Sequence, residues 1–193
     1  MAIAAGFPLS MLLSGGVSIP GWAWLIPLVM IALVYPMNAW SDAPLFPTPA
    51  TALLNLSEHV RLAEGASILD AGCGLGHGLR ALRSAYPQAR LAGTEWSWPL
   101  RVLTGLLCPW ARIRQGDMWK DDWSRYDMVY LFQRPETMPR AVAKAQEMKP
   151  GAWLVSLEFE ATELTPTAVV QASANRPVWL YQAPFKPAAH HPQ

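Results

Sequence analysis

Residues 68 to 78 read Ile68-Leu69-Asp70-Ala71-Gly72-Cys73-Gly74-Leu75-Gly76-His77-Gly78. A short apolar run, Ser67 to Ala71, gives way to closely spaced glycines and then to a helical pattern from Gly76 to Tyr86, which Pro87 ends. A strand that enters a helix through such a turn marks the ligand crevice of an open α/β sheet, outside the carboxyl end of the strand. Glycines there let the backbone approach a ligand closely and present the free N–H groups of the helix start. Spacing narrows the ligand. A dinucleotide fold needs G-x-G-x-x-G, and the position that would hold the last glycine is His77. No Gly-Lys-Ser/Thr follows, which excludes a phosphate-binding P-loop. The pattern present is Gly72-x-Gly74-x-Gly76, with Asp70 two residues before the first glycine.

Downstream, the alternation repeats. Strands are predicted over Ala89–Glu95, Ala111–Gln115, Tyr126–Phe132 and Trp153–Phe159, with helices over Trp98–Leu107 and Glu136–Met148. Upstream, Leu53, Leu54, Leu56, Val60 and Leu62 recur at helical spacing and predict a helix over Ala50–Glu64, closed by Gly65. Strands alternating with helices of about ten residues imply a parallel sheet with helices on both faces. Thr167–Ala172 and Val178–Gln182 are extended apolar runs with no helix between them, which predicts an antiparallel hairpin at the sheet edge. The expected fold is therefore α/β: a Rossmann-like, doubly wound, mainly parallel seven-stranded sheet ending in an antiparallel hairpin.

The charge distribution divides the 193 residues. Fifteen basic and 14 acidic side chains leave a net charge of +1, too little for a protein that coats polyanions by phosphate neutralisation, so no nucleic-acid partner is expected. Residues 1 to 41 contain no Asp, Glu, Lys, Arg or His. Within them Gly21–Trp40, GWAWLIPLVMIALVYPMNAW, is long enough to span about 30 Å of hydrocarbon as a helix. Trp22 and Trp24 stand near one end, and Tyr35 and Trp40 near the other, as interfacial aromatics do. The preceding apolar stretch, Ala2 to Leu13, leaves two arrangements open: one transmembrane helix or a helical hairpin. A cleaved secretory signal does not fit, because no Lys or Arg forms an n-region. Residues 1–41 are expected to be a membrane anchor and 42–193 the enzymatic domain, with Pro44, Pro47 and Pro49 stiffening the collar between them. Two cysteines and four histidines have neither disulfide-framework nor metal-ligand spacing, so no metal is expected.

Two further acids point to the ligand. Glu95 ends the second strand, nineteen residues beyond Gly76, where a carboxylate accepts both hydroxyls of a ribose. Asp117, in Gly116-Asp117-Met118 after the third strand, can accept from an adenine amino group. Asp70 would repel a pyrophosphate but suits a cationic amino or sulfonium group. Three carboxylates ending three successive strands match S-adenosylmethionine and fit NAD or ATP poorly. Each acid taken alone reads better as a solvated loop carboxylate; together with the glycines, the three read better as a cofactor site.

On these residues the chain resembles the class I S-adenosylmethionine-dependent methyltransferases. More narrowly, it is similar to the membrane-anchored lysine methyltransferases of the adenine nucleotide translocase and the ATP synthase c subunit, with their prokaryotic relatives. The likeness includes the collar Leu45-Phe46-Pro47-Thr48-Pro49, the glycine loop, Glu95 and Gly116-Asp117-Met118-Trp119-Lys120. It continues through Phe132–Glu136 and Val178-Trp179-Leu180-Tyr181. The chain departs from the family at Leu75, where the family often has Asp, and at Trp96-Ser97-Trp98-Pro99, where Asn-Pro often follows the ribose acid. The resemblance implies cofactor contacts from Asp70, Gly72, Cys73, Gly74, Gly76, Glu95, Trp96, Asp117 and Met118. It implies a substrate pocket bordered by Thr48, Phe132, Gln133 and Pro135, with a membrane-protein lysine as substrate; because the cofactor is cytosolic, the catalytic domain is expected on the cytoplasmic side. Methylation of a small or lipid-soluble molecule, and cofactor binding without catalysis, stay open as alternatives. Phe132 reads as well as strand packing, and Glu136 as well as a charge favoured at a helix start.

Overall fold

The computed structural model describes residues 20–34, 47–172 and 176–188. The chain divides into two compact units, Met1–Tyr35 and Pro36–Gln193. The boundary expected at 41/42 lies outside the described residues.

In the first unit a 3-10 turn, Gly21–Trp24, runs into helix α1, Leu25–Val34. Ten residues at 1.5 Å each cover about 15 Å, half the hydrocarbon thickness of a bilayer. Among the described residues no helix is long and apolar enough to cross a membrane. The predicted span is thus described only over its first fourteen residues. Its Tyr35–Trp40 end, the Ala2–Leu13 stretch and the collar as far as Phe46 lie outside the described residues, as does the choice between one span and a hairpin. The side chains of Trp22, Leu25, Ile26, Leu28, Val29 and Met30 are all exposed.

The second unit is built on a seven-stranded sheet of order β3-β2-β1-β4-β5-β7-β6. The strands are β1 Ser67–Ala71, β2 Arg90–Glu95, β3 Arg112–Gln115, β4 Met128–Leu131, β5 Trp153–Leu157, β6 Ala168–Ala172 and β7 Arg176–Gln182. Pairing is parallel from β3 through β5; β7 runs antiparallel to both β5 and β6. The expected C-terminal hairpin is present, and its second strand docks on β5 while its first becomes the edge. All of β4 and β5, and β1 after Ser67, are buried, as strands covered on both faces must be. The opposite edge, β3, carries Arg112 and Arg114, charges that discourage pairing with another chain.

Helices α3, His77–Ala85, and α4, Trp98–Leu107, lie on one face; α5, Met138–Ala145, covers the other. The first face buries Leu79, Leu82 and Cys108 with Leu53, Leu56 and Val60 from the segment after the collar. The second buries Trp123, Met138 and Val142 with Ala161 and Leu164, which carry the chain from β5 to β6 without a helix.

Two helix expectations need correction. In place of a helix over 50–64, a run of turns leads into one helical turn, α2, Leu56–His59. Val60 leaves it in extended geometry and is buried with Leu53 and Leu56. Burial from a folded-back turn thus produced spacing that reads as helical. The helix expected over Glu136–Met148 starts with a 3-10 turn, Pro135–Thr137, and becomes α-helical at Met138, where Pro139 fits the first turn.

Candidate cofactor and substrate site

Chain order reverses between β1 and β4, so their carboxyl ends open a crevice at the switch point of the sheet. The glycine loop lies there, with Gly72, Gly74 and Gly76 all at positive φ, values of 82°, 50° and 76°. A side chain at Gly72 would also collide with its surroundings. Its Cβ would stand 2.9 Å from Gln133 Nε2 and 3.3 Å from Met118 Sδ. The loop is therefore drawn tightly against residues from the ends of β3 and β4.

The loop is held mainly from β2. The Gly72 and Cys73 N–H groups both donate to the Thr94 carbonyl at 3.0 Å. Glu95 bridges two turns: Oε2 accepts from Gly74 N–H at 2.9 Å and Oε1 from Ser97 N–H at 2.8 Å. From α4, the buried Thr104 hydroxyl donates to the Gly74 carbonyl. Nothing in the motif announces Thr104. Its signal is a lone hydroxyl on the inward side of the helix, where Leu100 is also buried.

Asp70 sits deeper than the loop. Its carboxylate lies under the start of α3, and Oδ2 is buried without a hydrogen-bond partner among the described residues. Burial, then the neighbouring charge of Glu95, pushes its pKa up to about 7, against the backbone N–H of Leu79. Burial also raises the Glu95 pKa, opposed by the backbone N–H groups of Ser97, Gly74 and Trp96. Burial, with the charges of Asp70 and Glu95, keeps the Cys73 thiol protonated. Its sulfur packs toward Gly93, where an added Cβ would lie 2.7 Å away, so Cys73 faces the crevice with its backbone alone.

The remaining residues are more dispersed. Asp117 Oδ1 accepts from Trp119 N–H at 2.9 Å and caps the 3-10 turn Met118–Lys120. Met118 is buried, and Gln133 Nε2 approaches its sulfur at 3.7 Å, so Gly72, Met118 and Gln133 converge. Trp96 is exposed. The buried Thr48 shares a 2.9 Å hydrogen bond with the Tyr130 hydroxyl, which brings the end of the collar onto β4 beside Asp70. Phe132 stacks on Phe159, ring centroids 6.3 Å apart, and the Arg176 guanidinium lies 6.0 Å from the Phe132 centroid. That face already holds a cation, which bears on any role in receiving a substrate ammonium. Pro135 is exposed at the start of its 3-10 turn. Among the described residues no cluster of three or more His, Cys, Asp or Glu could hold a metal ion.

The donor and acceptor set fits S-adenosylmethionine. The Glu95 carboxylate accepts from backbone N–H groups on both oxygens and retains lone-pair capacity for hydroxyls, as a ribose diol requires. The partnerless Asp70 oxygen agrees with a cationic ligand.

Residues 70–168 match the family model described as the ANTKMT methyltransferase domain. No curated protein sequence matches the chain. Among solved structures, the chain is similar to an RNA methyltransferase from Salinibacter ruber in complex with S-adenosyl-L-homocysteine. The TM-score is 0.63 and the identity 22%, over 77% of this chain and 97% of that one. Aeropyrum pernix fibrillarin with natively bound S-adenosyl-L-methionine aligns with a TM-score of 0.51 and 17% identity, over 68% of this chain and 72% of that one. Geranyl diphosphate C-methyltransferase from Streptomyces coelicolor aligns with a TM-score of 0.51 and 14% identity, over 62% of each chain. At these identities the likeness is one of fold, and a fold shared by enzymes acting on RNA and on geranyl diphosphate does not fix the acceptor.

Proposed function

The chain belongs to the ANTKMT methyltransferase domain family, and on that premise we propose that it is a protein-lysine N-methyltransferase acting on a membrane-associated protein. It is an S-adenosylmethionine-dependent methyltransferase. The observation that carries the site is Glu95, whose carboxylate joins the glycine loop to the turn after β2 at the switch point of the sheet. Bound there, S-adenosylmethionine supplies an electrophilic methyl group to a neutral amine.

The chain's own residues do the rest. Glu95 would hold the ribose diol, and Asp117, Met118 and Trp96 would serve the base. Thr94 and Thr104 keep the loop from shifting, which fixes the position of the reacting group. Gln133, Thr48 and Phe132 border the acceptor channel, with Pro135 at its rim. Burial of an arriving ammonium there favours loss of its proton.

The membrane part of the reading rests on residues 1–41. They carry no charge, and the described part of their helix exposes apolar side chains that a soluble protein would bury. The anchor holds the catalytic domain at the cytoplasmic surface, where the cofactor is made. The same feature favours a second reading, methylation of a lipid-soluble small molecule. Incubating the full chain with methyl-labelled cofactor and membranes separates the two. Label on a protein band, lost when the acceptor lysine is replaced, supports the lysine reading. Label confined to the solvent extract overturns it.

A further inference from the structure

We propose that the outer face of α4 is a bilayer-docking surface that settles into anionic headgroups. The face is apolar where a surface helix is ordinarily polar. Trp98, Leu103, Leu106 and Leu107 are all exposed, Leu106 by 74%, while Leu100 and Thr104 face the core. Trp98 and Leu106, with the half-buried Val102 between them, follow one another at four-residue spacing, so they form one stripe.

Charge identifies the occupant. From Trp96 to Gly116 the sequence has no acidic residue. Arg101 lies on the helix, and Arg83 of α3 sets its guanidinium 5.1 Å from the ring centroid of Trp110, just past the end of α4; both arginines are exposed, and neither forms an ion pair among the described residues. Apolar side chains, a tryptophan at one end and arginines at the rim are the composition that lies in a membrane interface, with the cations on anionic lipid. A second copy of the chain fits less well, because a symmetric pairing of this face would bring arginines toward arginines. The inference does not depend on the methyl acceptor. Its functional consequence is positional: α4 begins three residues after Glu95, so docking this face sets the β2 side of the crevice at headgroup level.

The test uses the full chain with Leu106→Cys carrying an environment-sensitive fluorophore; the native Cys73 and Cys108 are both buried. A control label replaces the exposed Glu163, in the β5–β6 connection. Both proteins are reconstituted with phosphatidylcholine vesicles, with and without phosphatidylglycerol, and quenched with a lipid-attached nitroxide or with iodide. The expected result is that the nitroxide quenches label 106 several-fold more than label 163 when phosphatidylglycerol is present. Arg101→Glu with Arg83→Glu should abolish that difference. Iodide quenching of both labels on vesicle-bound protein overturns the proposal while leaving membrane attachment by the leader intact. A label 106 shielded from both quenchers means that protein covers the face, which overturns it too.

Discussion

A methyl group added to Gly78 would stand 2.5 Å from Asp70 Oδ2 and 2.8 Å from Tyr130 Cε1. The start of α3 therefore rests directly on the buried acid, and this glycine was not among the expected site residues although it closes the decisive stretch. Gly78→Ala should destabilise the domain by about 1–3 kcal/mol, the usual cost of overpacking, and weaken cofactor binding with it. Denaturant unfolding and calorimetry check both. Asp70 makes a second prediction. Its pKa is raised from 3.8 to about 7 in the fold, so the stability it contributes is whole below pH 4 and is lost as pH rises toward 7. The loss reaches at most about 4 kcal/mol. Asp70→Asn should flatten most of that slope, although Glu95, raised in the same direction, leaves a remainder. Equal slopes in unfolding free energy between pH 4 and pH 8 for the two proteins would mean that Asp70 is not the group responsible. Asp70, Glu95 and the glycine spacing were legible because backbone geometry and charge demand particular residue types. Thr104 and Thr94 were not, since one acts through a lone hydroxyl and the other through its carbonyl.

Helix α4 has two jobs, and they fall on opposite sides. Inward, Thr104 ties the helix to the Gly74 carbonyl. Thr104→Val removes the donor and leaves that carbonyl without its bond, which should cost about 1–3 kcal/mol; Thr104→Ser should restore most of it. Thermal unfolding of the three proteins decides this. Gly105, half-buried in the same helix, meets nothing within 4 Å of an added Cβ. Gly105→Ala should stabilise by about 0.4–1 kcal/mol, a contrast that separates helix propensity from loop contact. At this scale the sequence was most informative where an element is covered on both faces. The buried runs of β1, β4 and β5 could only be central strands. It misled over 50–64, where turns folding back on the sheet bury leucines at intervals that imitate a helix. Periodicity reports which residues are buried, and the backbone route that buries them stays undetermined.

For the whole molecule, sheet order follows from the alternation of elements, but the place of the final hairpin strands does not, because either could have docked on β5. The leader adds a prediction. Leu28→Arg with Met30→Asp should release the protein into the soluble fraction, since each charge at a bilayer centre costs about 2.5–3.5 kcal/mol on insertion scales. Resistance to alkaline extraction after both changes would place the attachment elsewhere. On the proposed function, the crevice between β1 and β4 holds S-adenosylmethionine with Glu95 on its ribose. Calorimetry with S-adenosylhomocysteine and its 2′-deoxy analogue, on the unmodified chain and on Glu95→Ala, tests it most directly. With the unmodified chain, losing the hydroxyl should weaken binding by about 1–3 kcal/mol; with Glu95→Ala it should cost almost nothing. An equal loss in both proteins would contradict the assignment.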